Sequence, residues 1–441
     1  MNNPITDKTE KSPARSILGN LSFLMRGRGA AALLSLGSTA LIARTLGPSE
    51  FGIIMLTLAY TLLIRVLFDF QLFESIIKFG VEAQESNDKQ KLQRLLSVCW
   101  KIDKRIALGG TLIGLALAPL VGLANQFESL QILLMTFYSL VLLSSGTGTA
   151  IGVLRLFDQF NVLGNLMIVG PAIRFVGVVV TWWFDGTLTQ FLLVVGIAYI
   201  SENLFLLGYG WKEYKSKMGS VAKDRISPDI KDKEYDNVRS FLWVTYWQSN
   251  LDVAPKHIIL MLAGMLLGTS EAGLLRLARE FSSVLSNPAN LIRQVLYLDL
   301  TRSWHQGGTD IKSLAYLTAA IAAALGFAFV LVSFIFGNLL LEFFVGTAYV
   351  GAWHLLTLML LAATFEITAS SLRSASYAIG EAAKVLRLYT ISSVIYIGCF
   401  IGFTWWLGLI GAGIAASVAS IIPPVFMFLM IHKSKIKPNL N

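Results

Sequence analysis

Six cations sit where a chain this apolar has little room for charge. Arg44, Arg65, Arg174, Lys256, Arg276 and Arg279 fall inside apolar runs long enough to cross a bilayer. A charge at the centre of such a helix costs roughly 2.5–3.5 kcal/mol on insertion scales. Arg44, near the end of its run, can snorkel to the interface; the others must face protein or a wet cavity. Local pairing accounts for some of them. Arg65 has Asp69 four residues on, Lys256 has Asp252 four before, and Arg276 has Glu280 four after. Residues at that spacing share a helix face, so each pair could be a neutral internal clamp. Arg174 and Arg279 have no carboxylate at that spacing, and Glu202 and Glu366 have no local cation. Two fixed guanidinium groups in a cavity suit a diphosphate, because each planar fork makes parallel bonds to an oxyanion. A lone carboxylate at mid-membrane suits an ion or proton relay, or a salt bridge to Arg174 or Arg279.

The elements that must position these groups follow from composition. Hydrophobic residues make up 55% of the 441 and charged ones 14%, against about 25% charged in soluble domains. Mean hydropathy is +0.64. This is the composition of an all-α polytopic membrane protein. Twelve spans are predicted, at 26–45, 51–73, 105–124, 130–151, 162–184, 188–210, 241–267, 270–298, 313–336, 352–378, 384–407 and 409–431. Thirty of the 36 Lys and Arg then fall in or beside the termini and alternate loops, and the intervening loops hold none. The positive-inside rule places both termini in the cytoplasm. The net charge of +9 reflects that topology and an anionic lipid surface, and calls for no nucleic-acid partner. The first twenty residues are polar and lack the apolar core of a signal peptide, so the first helix is expected to stay.

Other chemistries find no support. Cys99 and Cys399 are the only cysteines, which excludes a CxxC metal or redox site. The four histidines show no HExxH spacing, and no P-loop or nucleophile–base set is present. The sequence therefore predicts neither an enzyme nor a metal or cofactor. Gly146-Thr147-Gly148-Thr149-Ala150 and Gly411-Ala412-Gly413-Ile414-Ala415-Ala416 imitate nucleotide-binding fingerprints, but both lie in spans, where small residues serve helix packing.

The chain is also duplicated. Leu46-Gly47-Pro48-Ser49-Glu50-Phe51-Gly52 returns as Leu267-Gly268-Thr269-Ser270-Glu271-Ala272-Gly273, and Leu154-Arg155 returns as Leu372-Arg373 at nearly the same offset. A repeat this long predicts two pseudo-symmetric six-helix lobes: residues 1–210, a charged linker at 211–240, and residues 241–441. Residues 74–104 mix apolar and charged positions and predict an amphipathic helix on the cytoplasmic surface.

Arg44-Thr45-Leu46-Gly47-Pro48-Ser49-Glu50-Phe51-Gly52 resembles the ARxLGPxEFG signature of the polysaccharide flippases in the multidrug/oligosaccharidyl-lipid/polysaccharide exporter superfamily. Asp69-Phe70-Gln71-Leu72 resembles its DFGL, with Gln71 where Gly is usual. Asn250-Leu251-Asp252, Gly273-Leu274-Leu275-Arg276-Leu277-Ala278-Arg279 and Gly408-Leu409-Ile410-Gly411-Ala412-Gly413 extend the likeness over nearly the whole chain. Leu298 departs from it, standing where the family often has Pro. The resemblance implies two lobes in a V around a central cationic cavity opening to alternate sides. It implies a polyprenyl-pyrophosphate-linked oligosaccharide as substrate, moved across the bacterial inner membrane, with glycosyltransferases or a glycan polymerase as pathway partners. Related flippases carry cavity arginines on helices 1, 2 and 8, which by helix position alone points to Arg26, Arg28, Arg65, Arg276 and Arg279. A drug/cation antiporter of the same superfamily should favour carboxylates in the cavity. A membrane glycan polymerase should carry a large outward loop, and the longest here is 337–351.

Overall fold

The computed structural model describes residues 13–219, 235–283, 311–378 and 381–433, and among these there is no β-strand. Helix α1 spans Pro13–Phe68. As a straight rod of 56 residues it would be about 84 Å long, far more than a bilayer core of about 30 Å. It breaks at Gly47, whose φ of 73° and ψ of 175° lie outside the helical region. Only glycine adopts that backbone without steric cost, and Pro48 then starts the second span with its φ already set. The remaining helices are α2 (Leu72–Glu85), α3 (Lys89–Ala124), α4 (Ser129–Tyr138), α5 (Gly148–Leu156), α6 (Phe160–Trp183), α7 (Leu188–Met218) and α8 (Asp236–Leu267). They continue with α9 (269–283 as described), α10 (Ile311–Val345), α11 (Trp353–Ala378), α12 (Ala382–Leu407) and α13 (Leu409–Lys433). With α1 counted as two crossings, α4–α5 as one, and the 14-residue α2 left out as too short to cross, this gives the twelve expected spans, six to a lobe. Leu298 lies outside the described residues.

The repeated heptapeptide explains how the lobes meet. Gly268, at φ 100° and ψ 177°, repeats the backbone of Gly47. The glycines that close the two motifs then pack face to face. A Cβ on Gly52 would lie 1.8 Å from the Thr269 carbonyl oxygen, and one on Gly273 would lie 2.5 Å from that of Pro48. The Ser49 and Thr269 hydroxyls are 3.2 Å apart. Around this contact a single core draws on both lobes, with Ile42, Phe51 and Leu56 from the first and Ile259, Leu275 and Tyr349 from the second. Tyr349 also donates a hydrogen bond to the Ala43 carbonyl at 3.0 Å.

At the cation-rich end the cores are separate. One gathers Leu72, Ile76, Leu96 and Val153, and another Ala315, Leu372, Val385 and Met427. The lobes thus share a core at one end and keep separate cores at the other. The start of α8 crosses between them, since Val238 and Leu242 belong to the first lobe's inner core. Helix therefore extends into the expected 211–240 linker from both sides, through Met218 and from Asp236.

Two local expectations are corrected. Residues 74–104 are not one helix: α2 ends at Glu85, and α3 starts at Lys89 with the Asp88 side chain capping Lys91 N–H. Leu72, Ile76, Gly80 and Ala83 form the buried stripe of α2, as i, i+4 spacing requires. The Gly146–Ala150 stretch packs closely, a Cβ on Gly146 falling 2.6 Å from the Asp103 carbonyl oxygen, but the span that holds it is not continuous. A 3-10 turn at Ser139–Ser144 follows α4, the helix breaks, and α5 restarts at Gly148. The break frees backbone N–H groups that the membrane cannot satisfy, and Asp103, 4% exposed, accepts one from Thr149 at 2.6 Å. Asp103→Ala should cost about 1–3 kcal/mol, read as a lower unfolding temperature in detergent, with Asp103→Asn intermediate because it keeps an acceptor.

Candidate substrate cavity

Two cavities adjoin at Arg276. The smaller, about 200 Å³, is lined by Ser35 and Thr61 of α1, Tyr138, Arg174 of α6, Tyr199 and Glu202 of α7, and His257 and Arg276 from the second lobe. The larger, about 640 Å³, lies within the second lobe against Lys256 of α8, Arg276, Arg279 and Glu280 of α9, and Glu366 and Arg373 of α11.

Apart from Arg26, each sequence-predicted site residue has a described place. Arg276 forms the expected i, i+4 ion pair with Glu280 at 2.7 Å, yet both side chains stay partly exposed to the cavity. Arg279 donates from Nη1 to the Lys256 carbonyl at 3.0 Å, which ties α9 to α8 and leaves the rest of its fork for a ligand. Lys256 is exposed on the cavity wall; the side chain of Asp252, its expected partner, lies outside the described residues. Arg174 donates from Nη2 to the Thr39 hydroxyl at 2.9 Å, and its buried Nε meets no acceptor. It also feels the charges of Glu280 and Arg276 across the lobe boundary. Glu366 is exposed on the wall of the larger cavity. Glu202 lies against α6, where a Cβ on Gly170 would fall 2.1 Å from its carboxylate. Among the described residues, Arg174, Arg279, Glu202 and Glu366 form no ion pair with one another or with any other described residue. Arg28 is exposed and within electrostatic reach of Arg155. The side chain of Arg26 lies outside the described residues.

The clamp expected between Arg65 and Asp69 is not made. Both oxygens of Asp69 are taken by Gln71, through its backbone N–H at 2.9 Å and its amide at 3.1 Å. Gln71 needs that support, because its φ of 50° places it in the left-handed region where the resembling family has glycine. Arg65 makes no ion pair with a described residue there: its guanidinium carbon sits 5.5 Å from the centre of the Tyr199 ring, within electrostatic reach of both Asp69 and Glu202. Helical spacing alone misled here because α1 ends at Phe68 and Asp69 belongs to the turn. Arg65→Leu combined with Asp69→Leu should therefore fail to recover the yield lost in Asp69→Leu, since the lost turn cap is not restored. Detergent-extracted monodisperse protein measures it.

Sequence reading missed Arg373 as a cavity residue, taking it as a repeat marker and as a cation beside an inner loop. The structure puts its guanidinium 3.9 Å from the Tyr389 ring centre on the cavity wall. Its repeat mate Arg155 lies 4.3 Å over Phe73. The shared Leu-Arg marker was the available signal. His257 and Tyr199 gave none.

Comparison with known proteins narrows what this cavity belongs to. Residues 17–297 match the family model described as polysaccharide biosynthesis protein. The chain belongs to that family. A relative in Escherichia coli, named inner membrane protein YghQ, is 24% identical over 357 residues, covering 78% of this chain and 96% of its own. The structure of the lipid II flippase MurJ in an inward closed conformation superposes with a TM-score of 0.74 at 14% identity, covering 92% of this chain and 87% of that one. A transporter of the same exporter superfamily from Pyrococcus furiosus, reported with a binding pocket of reversed polarity, gives a TM-score of 0.60 at 14% identity over 95% of each chain. At these identities the structures establish a shared fold: twelve helices in two pseudo-symmetric lobes around a central cavity.

Proposed function

We propose that this membrane protein flips polyprenyl-pyrophosphate-linked oligosaccharides from the inner to the outer leaflet of a bacterial inner membrane, with both termini cytoplasmic. One observation carries the reading: Arg174, Arg276, Arg279 and Lys256, from three helices of both lobes, converge on adjoining cavities with few carboxylates among them. A diphosphate supplies the charge these groups lack, and guanidinium forks bind it better than a point charge would. The heptapeptide contact closes the end with no loop cations, so the cavities are poised for loading from the cytoplasmic side. Glu366 and Glu202 are the groups through which an ion could couple. A membrane potential supplies about 2.3 kcal/mol per charge per 100 mV, enough to bias alternation between two states. The family membership supports a role in polysaccharide biosynthesis. On this reading glycosyltransferases and a glycan polymerase are its pathway partners, and the protein moves its substrate and makes no bond. A drug/cation antiporter would draw a cation into a cavity whose charge is already positive.

Purified protein in liposomes holding a fluorescent polyprenyl-pyrophosphate sugar decides the matter. Protection of the label from an external quencher should change with time only when the protein is present, and no change above protein-free vesicles would refute the proposal. Transport of lipophilic cations in its place would favour the antiporter.

A further inference from the structure

We infer that the larger cavity is the compartment for the saccharide part of the substrate, and that Ser370, Ser393 and Ser420 with the Arg373–Tyr389 stack select it. This rests on the transport reading above and assigns each part of the substrate to a part of the protein.

The serines are the first observation. Hydroxyls in membrane helices ordinarily return to a carbonyl one turn back, and this chain follows the habit. Thr364 donates to Leu360, Thr368 to Thr364, Ser376 to Leu372 and Ser417 to Gly413. Ser370, Ser393 and Ser420 depart from it. They come one each from α11, α12 and α13, they line the same cavity, and none makes a hydrogen bond to a described residue. Three neighbouring helices thus aim an uncommitted hydroxyl into one space, where a partner that both donates and accepts would satisfy them.

The walls around them narrow the choice. Arg373, its guanidinium carbon 3.9 Å from the Tyr389 ring centre, places a cation backed by an aromatic ring on this wall before any ligand arrives. Tyr396 lines the same space and adds a second aromatic side chain, with an apolar body and a polar tip. Hydroxyls, a ring-backed donor and flat apolar faces match the two-sided chemistry of a sugar ring. They do not match a polyprenyl chain, which would bury every one of these groups against hydrocarbon. Volume divides the substrate in the same way. About 640 Å³ falls within the range of roughly 300–1,000 Å³ that encloses sizeable ligands, whereas the 200 Å³ beside Arg174 suits a compact anion. Arg276, on the wall of both, with Arg279 and Lys256 beside it on the wall of the larger cavity, marks the junction at which pyrophosphate would meet the first sugar.

The test compares two probes in liposomes: bare polyprenyl pyrophosphate, and the same lipid carrying the oligosaccharide of the host's own lipid-linked pool. Ser393→Leu and Ser420→Leu, which fill the cavity, should slow the sugar-bearing lipid more than tenfold and leave the bare lipid within twofold. Ser393→Ala combined with Ser420→Ala, which removes hydroxyls without adding bulk, should lower only the sugar-bearing rate, by three- to tenfold. Free oligosaccharide, released by mild acid and titrated by calorimetry, should bind the wild type, lose affinity about tenfold in Arg373→Gln, and bind Arg174→Ala normally. Equal effects on both probes, or sensitivity to polyprenyl length in place of sugar, would overturn the assignment. A wild type that moves neither lipid and binds no oligosaccharide would overturn the transport reading itself, and the parallel wild-type control tells the two failures apart.

Discussion

Arg174→Ala combined with Arg279→Ala should abolish flipping of the proposed lipid-linked oligosaccharide while the protein still reaches the membrane at normal level. The two residues approach the cavities from opposite lobes and form no ion pair with a described residue, so removing them leaves no buried carboxylate stranded. Hydrogen bonds to charged groups contribute about 1.5–3 kcal/mol each, so each single variant should lose roughly ten- to a hundredfold in initial rate. Lys at either position should recover part of that, because it restores charge without the fork. Arg276→Ala should behave differently. It strands Glu280, its partner at 2.7 Å, and an unpaired charge in a partly enclosed cavity is the costly state. Part of its defect should thus be lost folding, recovered in Arg276→Leu with Glu280→Leu, while transport stays low. A fully active Arg174/Arg279 double variant would assign both residues to structure alone.

Gly52→Leu should force the closed end apart. Even a methyl group at Gly52 would stand 1.8 Å from the Thr269 carbonyl oxygen, and the obstacle is backbone on both sides, so no side chain can turn away. Separation of the lobes is the available relief. A cysteine at Ser35, on the wall of the smaller cavity, should then react with a membrane-impermeant maleimide added from outside, severalfold faster than in the parent. Native Cys99 is buried and will not interfere, and Cys399 can be replaced. Flipping should stop, because a cavity open outward cannot load from the inside. Gly351→Ala, at a position with nothing within 4 Å, should change neither reading and serves as control. Conversely, a cross-link between cysteines at Ser49 and Thr269, whose hydroxyls are 3.2 Å apart, should lock this end shut and arrest transport until reduced. Unchanged labelling in Gly52→Leu would mean the motif joins the lobes without acting as a gate.

The amino-acid sequence by itself determined the solvent, the number of crossings and the duplication. Each follows from local composition: a span is apolar because the bilayer is, and loop cations alternate because translocating them is costly. The repeat was legible as words, Leu-Gly-x-Ser-Glu-x-Gly said twice, and so were the cations too costly to be accidental. Tertiary structure decided what those features do. Nothing local says that Gly52 and Gly273 touch, since their contact depends on two lobes folding against each other across 221 positions. The i, i+4 rule holds for Arg276 and Glu280 because α9 runs unbroken through both; it fails for Arg65 and Asp69 because the helix ends between them and Gln71 takes the carboxylate. The gap between α4 and α5 was invisible for the same reason, as Asp103 caps it from 46 residues away. Arg373 looks like any loop cation until α12 brings Tyr389 beneath it. Sequence periodicity records which face of a helix is apolar. Which partner that face meets is set only when distant helices pack, and the substrate cavity is made wholly of such meetings.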